Sequence, residues 1–137
     1  MQGNTNKKVG NHFEIDFCID LFKHGWWVYN CPQNAYGQPA DVIAVKGSTV
    51  LLVDCKVCTK QGFSFIRMEE NQRNAMTMFE NRTNYLPMFV FKLPEHDVYG
   101  IHWCTLKQLE DEGVRFLRNE EIRKYGIPLD EICRSSL

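Results

Sequence analysis

The sequence contains no apolar run that approaches the roughly 18 to 20 residues of a membrane-spanning helix, so we expect no membrane association. Met1 to Lys8 are polar and lack the apolar segment of a secretory signal, which favours a cytoplasmic protein. Internal repeats, low-complexity segments and linkers rich in Pro, Gly or Ser are also missing, which favours one domain over residues 1–137. The formal net charge is only −1, so the molecule as a whole is not a polycation typical of nucleic-acid-binding proteins.

Cysteine is present at low density. Six cysteines in 137 residues are far fewer than small disulfide-rich secreted domains contain, so we expect reduced thiols. Cys55 and Cys58 form a C-x-x-C motif that could serve a redox site or, with His102 and Cys104, a zinc site. We disfavour both, because a redox motif belongs at a helix start and strand alternation points the two thiols in different directions.

The sequence does contain a mixed pattern of helices and strands. Hydrophobic residues make up 44% of the chain, enough for a sizeable core. Periodicity predicts helices over residues 10–24 and 68–82, strands over 26–30, 88–92 and 98–103, and a hairpin that joins 41–45 to 50–57. The segment from 105 to 137 is predicted to be a helical, acidic tail. This order predicts an α/β fold with a mixed central β-sheet flanked by helices.

Glu14 is a carboxylate on the apolar face of the first predicted helix. On a helical wheel it falls between Leu21 and Cys18, whereas the other charged residues of this helix share the solvent face. Burial removes water from a carboxylate, so its charge must be compensated. The alternatives are an arginine partner or a position in a frayed first turn.

The predicted hairpin carries three polar residues at one end. Pairing Val45 with Val50 across a four-residue turn places Asp41 opposite Asp54 and puts Lys56 on the same face as Asp54. Like charges directly opposite each other destabilise a sheet, so the two aspartates need a cation between them or a wide separation. The alternative is that these residues are frayed strand ends in contact with solvent.

Gln72 lies on the apolar stripe of the second predicted helix. A buried glutamine needs hydrogen-bond partners, so it is expected to face a polar group held by the sheet, although a capping or core-satisfying glutamine is the alternative. Five polar residues from four elements are thus predicted on buried faces: Glu14, Asp41, Asp54, Lys56 and Gln72. Their convergence predicts a site, and carboxylate oxygens with a lysine suit Mg²⁺ or Mn²⁺.

This pattern resembles the PD-(D/E)XK nuclease superfamily. The matching residues are Pro39, Ala40 and Asp41 at the opening of a strand, then Asp54, Cys55 and Lys56 after thirteen residues, with Glu14 in the preceding helix. More narrowly, residues 8 to 92 are similar to Holliday junction resolvases of the archaeal Hjc and RecU-like groups. This narrower likeness also includes Gly10, Gly25, Phe63, Phe65, Gln72 and Met76. The second acidic position holds aspartate where the superfamily more commonly has glutamate.

The resemblance implies a restriction-endonuclease-like fold and a metal-dependent DNA endonuclease that resolves four-way junctions. It implies that Asp41, Asp54 and Glu14, with the backbone carbonyl of Cys55, hold one or two divalent ions. Lys56 would then orient the attacking water or stabilise developing charge, and Gln72 would position Lys56 or the water. The alternatives are another PD-(D/E)XK nuclease of repair or restriction type and a non-catalytic nucleic-acid-binding relative.

Basic residues near this site are candidates for DNA contacts. With the three carboxylates neutralised by metal, residues 1–84 would carry a net charge of +4, which suits a phosphate-binding surface. We predict phosphate contacts from Lys7, Lys8, Lys60, Arg67 and Arg73, and we expect Arg82 to be an ordinary solvated residue. By the same resemblance, residues 1–9 would form a flexible basic arm. Cutting two opposed strands calls for two sites related by a two-fold axis, so we expect a homodimer.

Overall fold

The structure, a computed structural model, describes residues 2–32, 38 and 40–135, with side chains from Val9 onward. Its helices are α1 (Gln2–Lys23), α2 (Glu70–Arg82), α3 (Trp103–Asp111), α4 (Asn119–Tyr125) and α5 (Leu129–Arg134). Its strands are β1 (Trp27–Asn30), β2 (Val42–Lys46), β3 (Thr49–Val57), β4 (Gly62–Ser64), β5 (Met88–Lys92), β6 (Val98–His102), β7 (Phe116–Arg118) and β8 (Ile127–Pro128). None of the described helices is both long and apolar enough to cross a membrane.

Six strands of the described residues form a mixed sheet in the order β1-β2-β3-β5-β6-β8, which confirms the predicted α/β class. Strands β3 and β5 are parallel, whereas the other neighbours in this sheet are antiparallel. A parallel pair needs a crossover connection, and α2 is part of it. The strand and the helix that carry most of the predicted site residues therefore belong to one β-α-β unit.

The β2–β3 hairpin has the predicted register, with Val45 opposite Val50. Its turn is shorter than predicted, because Lys46 also pairs with Thr49 and only two residues connect the strands. Gly47 is the first of these residues and has a φ of +58°, a left-handed conformation that glycine adopts without strain. The tight turn fixes the register, and a slip of one residue would move every side chain of a strand to the other face.

The sheet separates two apolar cores. One core lies between the sheet and α1, whose buried stripe consists of Phe13, Phe17 and Leu21. The other core lies on the side of α2 and α3 and includes Phe89 and Phe91 of β5. Because β5 and β3 are central and carry side chains into both cores, residues of β3 that face the second core lie under α2.

The C-terminal part of the chain closes the core on the α1 side. Ile132 and Cys133 of α5 are buried in that core. The indole Nε1 of Trp26 donates a hydrogen bond of 2.8 Å to the backbone carbonyl oxygen of Cys133, which is 107 residues away in sequence. This contact joins the entrance of β1 to the last described helix.

Two boundaries differ from the prediction at the helices. Helix α1 begins at Gln2 rather than at residue 10, so residues 2–9, predicted to form a basic arm, are helical. Helix α2 begins at Glu70, after a 3₁₀ turn at Phe65–Arg67. The polar composition of residues 2–9 carries no apolar stripe that periodicity could detect.

The segment predicted to be a helical tail is only partly helical. It contains β7, which pairs with β4 in a separate two-stranded sheet, and β8, which pairs with β6 at the edge of the main sheet. Strands of two or three residues are too short to show a period of two. Their conformation depends on pairing with distant partners.

Gly62 brings the backbone of β4 close to β7. Its φ is +135°, and a Cβ atom at this position would overlap the carbonyl oxygen of Leu117 and lie 2.9 Å from the Cα of Arg118.

We expect Gly62→Ala to lower the free energy of unfolding by about 2–4 kcal/mol, measured by urea denaturation. Gly10→Ala in α1 is the matched control, since a Cβ there meets nothing within 4 Å and should be neutral or stabilise by up to about 1 kcal/mol. A Gly62→Ala protein as stable as the parent would contradict the β4–β7 packing.

Candidate active site

The five polar residues predicted to converge lie around one cavity of about 230 Å³. They come from α1, from the residue that precedes β2, from β3 and from the first turn of α2. They are Glu14, Asp41, Asp54, Lys56 and Gln72. The structure therefore brings the predicted set together, while the catalytic role of each residue stays a prediction.

Asp41 and Asp54 lie side by side and are only 5% and 1% exposed, so the alternative of solvent-wetted strand ends is wrong. The backbone N–H of Asp41 donates to the carbonyl oxygen of Val53 at 3.0 Å, which continues the hairpin ladder by one residue. Both carboxylate oxygens of Asp41 accept hydrogen bonds, Oδ2 from the backbone N–H of Cys55 at 2.8 Å and Oδ1 from Nε2 of Gln38 at 3.0 Å. Asp41 is thus oriented by two fixed donors.

Lys56 shares a face of β3 with Asp54, as strand alternation predicted. Its Nζ lies 3.4 Å from Oδ2 of Asp54 and donates a hydrogen bond of 3.1 Å to Oε1 of Gln72. Oδ2 of Asp54 has this ion pair but no hydrogen-bond partner among the described residues. One lysine therefore faces three carboxylates, and the negative charge is only partly compensated.

Gln72 makes both kinds of contact considered for it, while its role in the site stays a prediction. Its Oε1 accepts a hydrogen bond of 3.0 Å from the backbone N–H of Glu69, which caps the start of α2. The same oxygen accepts the hydrogen bond from Lys56. The first turn of α2 and the position of the lysine are therefore coupled through a single atom.

Glu14 is half-buried in α1, well inside the helix, so the alternative of a frayed first turn is wrong. The pKa of its carboxyl group is raised to about 7, chiefly by burial and then by the nearby carboxylate of Asp41, whereas Lys56 acts to lower it. The positive charge that acts on it is thus a lysine and not the arginine considered above. Burial, and then Asp41, also raise the pKa of Asp54 well above its usual range. The site favours uptake of protons or of a cation.

The donor set fits a hard divalent cation. Glu14, Asp41 and Asp54 offer carboxylate oxygens to one cavity, and Cys55 lies beside them in its lining. Across residues 2–32, 38 and 40–135, no three His, Cys, Asp or Glu side chains already form a closed metal-binding cluster.

The C-x-x-C motif does not form a second site. Cys55 packs against the core on the α1 side, whereas Cys58 belongs to the core under α2. All six cysteines lie among the described residues and are free thiols. Since the sheet separates Cys55 from Cys58, they can neither pair nor share a zinc ion in this fold.

Two of the predicted DNA-binding residues, Lys60 and Arg67, are exposed. One guanidinium nitrogen of Arg67 donates to the carbonyl oxygen of Val57 at 2.8 Å, which fixes the direction of this side chain. Contacts of Lys60 and Arg67 with phosphate stay predictions. The side chains of Lys7 and Lys8 lie outside the described residues, as does Pro39.

Arg73 is engaged within the protein, which argues against its predicted contact with phosphate. Its guanidinium donates two hydrogen bonds, of 2.9 and 2.8 Å, to the carboxylate of Glu110 in α3. It also donates to the carbonyl oxygens of Met68 and Phe65, at 2.8 and 3.1 Å, and lies over the ring of Trp103. Arg73 therefore joins α2 to α3 and to the 3₁₀ turn.

Besides Glu69, two residues of the cavity were not predicted, Gln38 and Asn71. Nδ2 of Asn71 donates to the carbonyl oxygen of Gln38 at 3.1 Å, and Gln38 in turn holds Asp41. Neither residue interrupts an apolar pattern in the sequence. In the sequence, only their positions could have indicated them: Gln38 lies three residues before Asp41, and Asn71 lies one residue before Gln72.

Comparisons with known proteins agree with this geometry. The sequence model of the archaeal Holliday junction resolvase (Hjc) family matches residues 5–136. The structure of Hjc, a Holliday junction resolvase from the archaeal hyperthermophile Archaeoglobus fulgidus, is similar with a TM-score of 0.70 and 18% sequence identity. That similarity covers 90% of this chain and 99% of the Archaeoglobus chain. Comparison with curated proteins gives no match.

The mixed sheet, the buried aspartate pair and the adjacent lysine define a nuclease of the PD-(D/E)XK type, as the sequence pattern predicted. Within that class, the chain belongs to the archaeal Holliday junction resolvase family. It is an endonuclease that binds DNA, acts in recombination and resolves four-way junctions.

Arg73→Ala tests the structural role of this arginine. The substitution leaves Glu110 and two backbone carbonyls without their donor, so we expect a loss of about 2–3 kcal/mol in the free energy of unfolding by urea denaturation. Arg82→Ala, which removes an exposed arginine from the same helix, should change stability by less than about 0.5 kcal/mol. Unchanged stability of Arg73→Ala together with weaker DNA binding would favour the phosphate contact instead.

Glu14→Gln tests whether the negative charge of Glu14 lowers stability beside the other carboxylates of the site. The protein is first treated with chelator to remove divalent ions. The pKa of Glu14 is about 7 in the folded state against 4.5 in the unfolded state, so the folded state binds the proton more tightly. Stability of the parent should therefore rise as pH falls from about 7 to 4.5, whereas Glu14→Gln lacks this gain. After discounting for partial exposure, we expect the variant to be more stable by about 1–2 kcal/mol at pH 8, with the gap closing near pH 4.5. Glu112→Gln controls for loss of a surface charge, and a gap independent of pH would refute the assignment.

Proposed function

We propose that this resolvase hydrolyses phosphodiester bonds of four-way DNA junctions in a reaction that depends on Mg²⁺ or Mn²⁺, with two copies of the chain acting as a homodimer. One observation carries the proposal: two buried aspartates, a half-buried glutamate and a lysine line the same cavity. A protein that only binds DNA gains nothing from burying uncompensated carboxylates, which cost stability. A nuclease gains a site with affinity for a cation.

The residues of the cavity have distinct proposed roles. Asp41, Asp54 and Glu14, with the backbone carbonyl of Cys55, would hold the cation. When bound, Mg²⁺ or Mn²⁺ lowers the pKa of a coordinated water and offsets charge on the phosphate. Lys56 orients the attacking water or stabilises the charge that develops on the phosphate.

Gln72 and Gln38 act through other residues of the site. Gln72 fixes the ammonium group of Lys56 by accepting its hydrogen bond. Gln38 and the amide of Cys55 fix the two oxygens of Asp41, so the carboxylate does not need to reorient when a cation binds. Both contacts support pre-organisation of the site before DNA arrives.

The proposed DNA surface includes the exposed Lys60 and Arg67 and the basic residues Lys7 and Lys8. Such contacts position the backbone and carry no sequence information, so the branched shape of the junction would provide selectivity. Two sites in a homodimer could reach two opposed strands of one junction. We further propose that the protein acts in the cytoplasm, which the six free thiols support.

Lys56→Ala separates binding from cleavage. Lys56 serves the transition state, so this variant should lose cleavage by at least about 100-fold while it binds a synthetic four-way junction nearly as tightly as the parent. Cleavage by the parent should require Mg²⁺ or Mn²⁺ and stop in excess chelator. Lys107→Ala, which removes a half-exposed lysine of α3, is the matched control and should retain both properties.

The substrates should include a four-way junction, a linear duplex of equal length, a flap and a single strand. Contacts with phosphate alone weaken by roughly 0.9 log units per contact for each tenfold rise in salt, so a preference that rests on shape should persist as salt increases. Equal affinity of Lys56→Ala for junction and duplex at every salt concentration would contradict shape selection. Full cleavage in chelator would contradict the metal-dependent mechanism.

A further inference from the structure

Ile66 is the most exposed large apolar side chain in the part of the chain that the structure describes, with 86% of its surface accessible. It is the middle residue of the 3₁₀ turn at Phe65–Arg67. Phe65 within this turn and Met68 directly after it are each only 2% exposed. The turn therefore buries an apolar side chain at each end and directs the isoleucine between them into solvent.

Hydrogen bonds on both sides hold this turn in place. The guanidinium of Arg73 donates to the carbonyl oxygens of Phe65 and Met68, at 3.1 and 2.8 Å respectively. The backbone N–H of Phe65 donates to the carbonyl oxygen of Arg115 at 3.1 Å, which fastens the turn to the residue before β7. A mobile loop could fold an isoleucine back onto the protein, whereas a turn fixed in this way keeps it directed outward. A partner can therefore contact Ile66 without first ordering the backbone around it.

The 3₁₀ turn leads directly into the wall of the active-site cavity. Glu69, three residues after Ile66, lines that cavity, and Gln72 accepts the hydrogen bond from Lys56 within it. Three residues of chain span at most about 10 Å, so the backbone of Ile66 lies within that distance of the backbone of Glu69. This distance is only about three base-pair steps along a DNA helix. DNA that places a phosphate in the cavity therefore brings other nucleotides close to Ile66.

Exposed cations lie at both ends of β4. Arg67 and Arg115 lie beside the turn, and Lys60 lies in the loop that precedes the strand. None of these three forms an ion pair with a carboxylate of the described residues. Their charges suit phosphates, although Glu69 and Glu70 add two exposed carboxylates at the start of α2. Phosphate contacts alone would therefore be weak here, and an additional contact with the bases would strengthen binding.

The chemistry of Ile66 selects one feature of branched DNA. An apolar side chain gains free energy by covering another apolar surface, and in DNA that surface is the face of a base. In a linear duplex each base face is covered by its neighbour, so a side chain must unstack a base step before it can insert. In an open four-way junction, the last base pair of each arm lacks a stacked neighbour at the point of strand exchange. Ile66 can cover that face without the cost of unstacking.

We propose that Ile66 covers the exposed base face at the branch point and thereby helps the enzyme to select a four-way junction over a linear duplex. Arg67, Arg115 and Lys60 hold phosphates of the adjoining arm. This assignment rests on the proposed function, since it attributes part of the shape selection to one side chain. A protein partner is the other occupant that an exposed isoleucine could have, but the unpaired cations and the neighbouring cavity favour DNA.

Binding of the full chain to a four-way junction and to a linear duplex of equal length, in chelator and at one salt concentration, tests this role. Ile66→Ala removes most of the apolar side chain and should weaken junction binding about tenfold, while duplex binding changes by less than about twofold. Ile66→Leu keeps the apolar volume and should keep the parent's preference. Met78→Ala, at an apolar residue of α2 that is 53% exposed, is the matched control and should resemble the parent. Because Ile66 is mostly exposed, Ile66→Ala should unfold at the parent's urea concentration.

A junction with abasic sites at the branch point identifies the surface that Ile66 contacts. The parent should bind this DNA about tenfold more weakly than the intact junction, whereas Ile66→Ala should lose little, because its side chain no longer reaches the missing bases. Abasic sites about ten base pairs along one arm should weaken neither protein. Losses that add independently for Ile66→Ala and the branch-point abasic sites would contradict the contact.

The remaining outcomes separate this role from the proposed function. A junction preference that survives in Ile66→Ala, or equal weakening on junction and duplex, would overturn the role of Ile66 alone. A changed mass of Ile66→Ala in sedimentation equilibrium would also overturn it and assign the residue to a protein contact. A parent without any preference for the junction would reject both the role and the proposed shape selection. Loss of the preference in Ile66→Ala, with no metal-dependent cleavage by the parent, would support the role and reject the proposed reaction.

Discussion

The mutual repulsion of two buried carboxylates, Asp41 and Asp54, is the constraint to which the rest of this structure responds. Both groups lose most of their hydration at one end of the β2–β3 hairpin, where ionisation of both would place like charges side by side. The amide of Cys55 and the ammonium group of Lys56 each offset part of the cost. The charge that stays uncompensated lowers stability and, for the same reason, would favour the binding of a cation proposed above, because binding free energy adds to folding free energy.

Helix α2 positions the side chains that surround the two aspartates. Its first turn supplies Asn71 and Gln72, which reach the loop before β2 and the lysine of β3, respectively. Its next residue, Arg73, turns away from the cavity and anchors the helix to Glu110 of α3. Three consecutive side chains thus connect the site to the second core. The precision of the site therefore depends on the packing of α2 against α3, a helix that carries none of the predicted site residues.

The hairpin and the glutamate could be predicted because their signals are local. Two β-branched runs around a short turn determine the register, and Asp41 and Asp54 follow from it, while Glu14 interrupts an otherwise apolar helix face. Arg73 could not be assigned in this way, because its partner Glu110 is 37 residues away and no local pattern distinguishes an engaged arginine from a solvated one. Strands β7 and β8 escaped prediction for the same physical reason, since long-range pairing alone makes them strands.

The hydrogen bond from Trp26 to Cys133 has a consequence for how the chain reaches its folded state. All nine residues that line the cavity precede Arg73, yet the core behind them on the α1 side is completed by Ile132 and Cys133. A nascent chain in which every residue of the site has already left the ribosome still lacks one wall of the core that supports it. Contacts over such separations form late, because loop closure must come before the contact can stabilise anything. The order of synthesis therefore delays assembly of an enzyme that cuts DNA until nearly the whole domain has been made.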